Sequence, residues 1–174
     1  MHKVIQTHYD NHYFRSRIEA RWAVFFNTLG IDYEYEKEGF QLDNLCYLPD
    51  FYIPHLKCWI EIKGYAPTEE ETEKAHRLCI YTKQPVYIFY PDIPDVFGYS
   101  RTNSAEAFRL MGEDVDGPYW DNNHAWCECP QCGFLGIEFE GTADRLPCGH
   151  NIDAYPRNSR RIINAYKIAK EARF

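Results

Sequence analysis

The segment Pro49-Asp50, followed after ten residues by Glu61-Ile62-Lys63, carries the clearest chemistry in the sequence. Two carboxylates and one amine gathered at the end of a sheet make an oxygen-ligand site for Mg2+ or Mn2+. A metal held there polarises a phosphodiester and acidifies a bound water. Lys63 then orients that water or offsets the charge developing on phosphorus. Asp50 and Glu61 are expected on neighbouring strands of a hairpin. Glu61 and Lys63 are two apart and share one sheet face, while Ile60 and Ile62 project into a core on the other. The competing reading has Asp50 capping a turn and Glu61 paired with Lys63 on a solvated strand. Trp59, Ile60 and Ile62 argue against it, because they mark a mostly buried strand where charges need a reason. Gly64 follows, as where a backbone bends or admits a ligand. Upstream, Glu19 lies in Arg15-Ser16-Arg17-Ile18-Glu19-Ala20. It is either a carboxylate that reaches the metal site from the first helix or the far end of a capping box, Ser16-x-x-Glu19.

A second set of ligand-type residues lies late in the chain. Cys129-Pro130-Gln131-Cys132-Gly133 has zinc-knuckle spacing, and fifteen residues on comes Pro147-Cys148-Gly149-His150. Cys129, Cys132, Cys148 and His150 suit a closed, tetrahedral and therefore structural Zn2+ site. Cys127 and His124 are rivals for the fourth position. Phe134–Glu140 alternates like a strand between the two pairs, so the module reads as a small zinc ribbon. Such a module is too small to hold itself together and is expected to loosen without metal while the rest of the chain survives. Cys46, Cys58 and Cys79 are expected in the core. Trp120 and Trp126 are candidates for stacking on bases.

These residues need elements to position them. Phe14, Ile18, Trp22, Phe25, Phe26 and Leu29 follow helical spacing over 13–29, and Gly30 stops the helix. Alternation or apolar aromatic runs over 31–36, 46–53 and 57–63 predict three strands. Thr68, followed by Glu69, Glu70 and Glu71, starts a helix over 68–82. Residues 85–90 form a short apolar strand. This order of helix, three-stranded meander, helix and strand predicts an α/β core over 1–97. Residues 98–123 read as a connection with one short helix near Ser104–Met111. The zinc-ribbon-like module occupies 124–153, and a basic C-terminal helix occupies 154–174, with Ile162, Ile163, Tyr166 and Ala169 on one face.

Composition sets the limits. The chain has 174 residues, 45% apolar and 26% charged, which is enough to bury a core without disulfides. The net charge of −7 argues against coating of nucleic acid by the whole surface. The charge is uneven, however: Arg157, Arg160, Arg161, Lys167, Lys170 and Arg173 outnumber the single Glu171 in the last segment. A basic tail on an acidic body can contact phosphate locally. No run of 18 apolar residues exists, which argues against a membrane span. Seven cysteines without an apolar leader point to a reducing cytoplasm and metal ligands rather than a disulfide framework.

Three segments together resemble a known group: Phe14–Ala23, Tyr47-Leu48-Pro49-Asp50-Phe51, and Trp59-Ile60-Glu61-Ile62-Lys63-Gly64. In order and on the right elements, they look like the PD-(D/E)xK nuclease superfamily with the restriction-endonuclease-like fold. The similarity covers about residues 13–90 and is greatest to small members from phage and bacterial genomes. It implies a DNA-cleaving enzyme in a bacterial or phage-infected cytoplasm, with Glu19, Asp50 and Glu61 as metal ligands and Lys63 as the catalytic amine. It also implies a further functional polar residue on the helix after Lys63, with Glu73, Lys74 and His76 as candidates. Branched DNA or RNA as substrate, and a DNA-binding or regulatory protein that has lost activity, are the alternatives.

Overall fold

The computed structural model describes residues 5–94, 104–111, 114–116, 124–139, 146–152 and 155–174. The elements run β1 (Thr7–Tyr9), β2 (His12–Phe14), α1 (Arg17–Leu29), β3 (Glu34–Tyr35), β4 (Phe40–Leu42), β5 (Leu45–Tyr47), β6 (Phe51–Ile53), β7 (Cys58–Ile62) and α2 (Glu69–Thr82). They continue with β8 (Val86–Tyr90), β9 (Ser104–Met111), β10 (Asp114–Asp116), β11 (His124–Glu128), β12 (Leu135–Phe139) and α3 (Arg160–Glu171). A six-stranded sheet in the order β10-β9-β8-β7-β6-β3 forms the centre, with β1–β2, β4–β5 and β11–β12 as separate pairs. Within it only β7 and β8 are parallel, and α2 makes the crossover between them. Among the described residues no helix is long and apolar enough to cross a membrane.

The period-2 pattern of the strands sorts side chains into two cores. Phe51, Ile53, Ile60, Ile62, Tyr87 and Phe89 pack with α1 and α3 on one face. Tyr52, Trp59, Val86 and Ile88 pack with Ala75, Leu78 and Cys79 of α2 on the other. Glu61 alternates with Ile60 and Ile62 and so belongs to the Trp59 side. The β4–β5 hairpin closes over that side, with Leu42 and Tyr47 in the same cluster and Phe40 against Trp59.

Helix α1 begins at Ser16, whose hydroxyl accepts the Glu19 N–H, and ends at Gly30 in the left-handed conformation (φ 70°). Such a terminator leaves no strained side chain at the stop. It buries Trp22, Phe25, Phe26 and Leu29 because it lies between the sheet and α3. Phe25 stacks on Tyr166 of α3 at 4.5 Å, and Phe26 meets Phe51 of the sheet at 5.3 Å.

Four expectations are corrected here. Ser104–Met111 is a strand paired along β8, not a helix, so the 98–123 connection contributes to the central sheet. The segment expected to form a separate ribbon also packs into the main core. Trp126 of β11 and Leu135 of β12 lie in the main core, and Trp126 packs on Phe25 and Phe26. That burial removes Trp126 from the stacking candidates (0% exposed), while Trp120 lies outside the described residues. Cys58 and Cys79 are buried as expected, but Cys46 is exposed on the short β5.

Candidate active site and metal centre

The β6–β7 register sets the pairing of the two acids. Phe51 faces Ile60, so Asp50, immediately before β6, falls opposite Glu61. Asp50, Glu61 and Glu19 are 2%, 5% and 6% exposed, far below what lone carboxylates tolerate. Each is held by named partners. Asp50 Oδ2 accepts the Ile62 N–H at 2.7 Å, and Oδ1 takes Arg15 Nη2 at 2.6 Å. Glu61 Oε1 pairs with Lys63 Nζ at 2.8 Å, and Oε2 accepts the Tyr47 hydroxyl at 3.1 Å. Glu19 Oε2 accepts the Tyr35 hydroxyl at 2.7 Å and the Arg15 N–H at 3.1 Å, while Oε1 accepts the Ser16 hydroxyl at 2.5 Å. The geometry of Glu19 resembles the capping reading without completing the box, and it sets the side chain near Asp50. The carboxylate reaches back over the helix start as a capping acid does, binding the N–H of Arg15 rather than that of Ser16.

Burial pushes the Asp50 carboxyl well above the usual range, and the charges of Glu61 and Glu19 add to it. The Ile62 N–H and Arg15 offset this only in part. Burial also raises Glu61, against the opposing pull of Lys63 and Tyr47. Burial acts to lower Lys63 and Arg15, yet both end up raised because carboxylates surround them. Lys63 is shared, with Glu71 Oε1 at 3.0 Å as its second partner. Burial opposes ionisation of Glu71, but the Thr68 N–H and Lys63 outweigh it and lower its pKa.

Five carboxylates, Glu19, Glu36, Asp50, Glu61 and Glu71, thus surround two cations, Arg15 and Lys63. When all are ionised, the group has more negative than positive charge. Oxygen donors with unbalanced negative charge fit a hard divalent cation such as Mg2+ or Mn2+. The three expected ligands nevertheless do not form a ready-made ligand set. Among the described residues, the one group of His, Cys, Asp or Glu placed to hold a metal is the late Cys/His cluster.

Beside the acids opens a cleft of about 620 Å³ lined by Arg15, Tyr47, Glu61, Lys63, Glu71 and Lys74, with Gln41, Cys46 and Leu48 on the hairpin side. Of the three candidates on α2, only Lys74 lines this cleft, with Glu70 as its partner at 2.6 Å. Glu73 pairs with Arg77 and His76 instead. The α2 residue that reaches Lys63 is Glu71. Its other oxygen completes a capping box with Thr68, so the helix start itself fixes the carboxylate. Sequence reasoning missed Arg15, Tyr35, Tyr47 and Glu71 as site residues. A Thr-x-x-Glu box beginning five residues after the lysine was a usable signal for Glu71. A Cβ on Gly64 would meet nothing within 4 Å, so no protein atom requires glycine there.

The second cluster is compact. One ligand atom from each of Cys129, Cys132, Cys148 and His150 lies within 4.8 Å of the others, with Cys129 Sγ 3.4 Å from His150 Nδ1. A tetrahedron with Zn–S bonds of about 2.3 Å has edges of about 3.8 Å, so this spacing can accept an ion of that size. Each pair sits on a turn ended by a glycine with φ 73°, Gly133 and Gly149, whose N–H groups return to Cys129 O and Leu146 O. Burial would raise the Cys129 thiol, but the N–H groups of Cys132 and Gln131 and the neighbouring thiols pull it down to about 6, toward the thiolate that binds metal. Cys127 stays outside the group. Its Sγ points to Gly136 O at 3.6 Å, and burial raises its pKa. His124 is buried against Tyr87 and also stands apart from the four.

No protein-family model matches this chain, and neither a curated protein nor a solved structure is similar enough to it to count as a match.

Proposed function

We propose that the chain is a metal-dependent nuclease that hydrolyses DNA phosphodiester bonds on a core of the PD-(D/E)xK, restriction-endonuclease-like kind. One observation carries the reading. Asp50 and Glu61 are buried opposite each other across β6 and β7, with Lys63 bonded to Glu61 at the mouth of a cleft. Asp50, Glu61 and Glu19 would hold Mg2+ or Mn2+. Once bound, that ion supplies Lewis-acid polarisation of the phosphodiester and a water that ionises near neutral pH.

The chain's own residues supply the rest. Lys63 stays protonated because Glu61 and Glu71 raise its pKa. It therefore acts as a hydrogen-bond donor to the attacking water or a phosphate oxygen, not as a base. Tyr47 and Tyr35 fix the carboxylates of Glu61 and Glu19. The Cys129, Cys132, Cys148 and His150 group would hold a structural Zn2+ with no open position. Arg160, Lys167, Lys170 and Arg173 are exposed on or after α3 and would contact phosphates, whereas Arg161 is bound to Glu128 at 2.6 Å.

A second reading has its own support. The pairing of Arg15 with Asp50 and Lys63 with Glu61 also suits a nuclease-shaped protein that binds DNA without cutting it. The test incubates folded protein with Mg2+ or Mn2+ and linear, circular, single-stranded or branched DNA, or RNA. Cleavage that disappears in Asp50→Ala and Glu61→Ala supports the nuclease. Binding without cleavage of any substrate supports the second reading and refutes the first.

A further inference from the structure

Arg15 holds two carboxylates with different parts of one guanidinium. Its Nη2 lies 2.6 Å from Asp50 Oδ1, and its Nε lies 2.7 Å from Glu36 Oε1. The two partners differ in character. The Asp50 side chain is 3% exposed and faces Glu19 and Glu61, while that of Glu36 is 28% exposed and lies at the rim. Glu36 is held there by its backbone. It sits at φ 46°, a conformation few non-glycine residues adopt, and its N–H donates to Asp50 O at 2.8 Å. The Arg15 side chain is half exposed and lines the same cleft as Lys63.

We propose that Arg15 is an exchangeable counter-ion: it neutralises Asp50 while the divalent cation is absent, and pivots on its Glu36 contact to a substrate phosphate when the cation takes its place. The inference rests on the nuclease reading above. Three features support it. Arg15 already engages Oδ1 of Asp50 and the Ile62 N–H engages Oδ2, so a cation held by Asp50 would compete with Arg15 for the carboxylate. A guanidinium can keep one carboxylate on Nε while its other nitrogens move to a phosphate, with which it pairs in fork geometry. The site thereby avoids an uncompensated buried carboxylate before metal arrives and avoids like-charge repulsion between Arg15 and the metal afterwards.

The experiment measures Mn2+ binding alone by calorimetry at pH 8.5, where protons compete least, and DNA affinity in Ca2+ by fluorescence anisotropy. Wild type, Arg15→Gln, Arg15→Lys and Asp50→Asn are compared, and the binding lost in Asp50→Asn defines the site. Arg15→Gln is expected to bind Mn2+ at that site at least tenfold more tightly and DNA at least tenfold more weakly. Arg15→Lys keeps a cation but not the fork, and is expected to lose DNA affinity without the gain for Mn2+. If wild type binds Mn2+ at Asp50 and cuts DNA, but Arg15→Gln binds Mn2+ equally or more weakly, the inference is overturned and the nuclease reading stands. If no folded variant binds Mn2+ at Asp50 and none cuts DNA, both fall together.

Discussion

If Cys129, Cys132, Cys148 and His150 hold Zn2+, its removal should weaken the whole molecule rather than one corner of it. The perturbation is Cys132→Ser, at an exposed member of the cluster whose loss would leave three of its four metal-binding groups without disturbing apolar packing. The ribbon then loses the link that holds its two knuckle turns together. Its β11 and β12 strands place Trp126 and Leu135 in the main core, against the face of α1 that α3 also covers. Withdrawing two large apolar side chains removes about 3–6 kcal/mol. The two aromatic contacts of Trp126 with Phe25 and Phe26 add about 1–3 kcal/mol. A total near 4–9 kcal/mol is an upper estimate, since unfolded chains already bury some surface. It is nevertheless comparable with the 5–15 kcal/mol that holds a typical domain folded. At roughly 2–4 °C per kcal/mol for a chain of this size, Tm should fall by about 10–30 °C. Differential scanning calorimetry, with zinc content measured on the same samples, reads this directly. Limited proteolysis should cut within 124–156 and also in the C-terminal helix. A zinc-depleted variant whose main transition keeps its Tm, with cleavage confined to the ribbon, would refute the reasoning. So would natural protein that carries no zinc.

Three further outcomes follow from the acidic site. The pKa of Asp50 is raised on folding, so the folded metal-free protein binds a proton that the unfolded chain has already released. Its stability should therefore decline as pH rises from the ordinary aspartate range through the raised value, and Asp50→Asn should flatten that slope in metal-free protein; a steeper slope in the variant would contradict the burial argument. Lys63→Ala should lose about 10²–10⁴-fold in cleavage rate while still binding Mn2+, and a loss below tenfold would reduce Lys63 to a partner of Glu61. Glu71→Gln keeps an acceptor for the Thr68 cap but removes one of the two charges on Lys63, so it should shift the alkaline limb of the pH–rate profile downward; Glu71→Ala should additionally cost about 0.5–2 kcal/mol in denaturant unfolding through the weakened helix start.

The parts of this fold with strong local signals were readable in the sequence. Helix α1 has a serine cap, a glycine stop and a run of aromatics at helical spacing, and the structure begins it only four residues later than expected. Helix α2 and strand β8 were equally marked. Strand β9 was not, because Ser-Ala-Glu-Ala-Phe-Arg-Leu-Met is built largely of helix formers and becomes a strand only through pairing along β8. The β1–β2 and β4–β5 hairpins are three-residue strands too short to show a period. Within the site, Asp50, Glu61 and Lys63 could be read because strand alternation places them. Arg15, Tyr35 and Tyr47 could not, since their roles depend on three segments meeting at one end of the sheet. The fourth ligand of the Cys/His cluster was ambiguous by spacing alone, and the left-handed turn at Gly149 brings His150, rather than Cys127 or His124, to the other three.

The register that sets Asp50 against Glu61 also limits how this segment can vary over evolutionary time. The ten residues between the acids are two strand arms joined by the turn at Pro54–Lys57, where Lys57 takes a left-handed conformation. An insertion inside that turn lengthens the link but leaves Phe51 facing Ile60, so descendants with longer tips keep the pair intact. A single insertion or deletion within Phe51–Ile53 moves Asp50 off its partner and turns the strand's apolar side chains toward the wrong layer. Length changes should therefore accumulate at the tip of this hairpin and be purged from its arms, even where individual side chains there are freely exchanged.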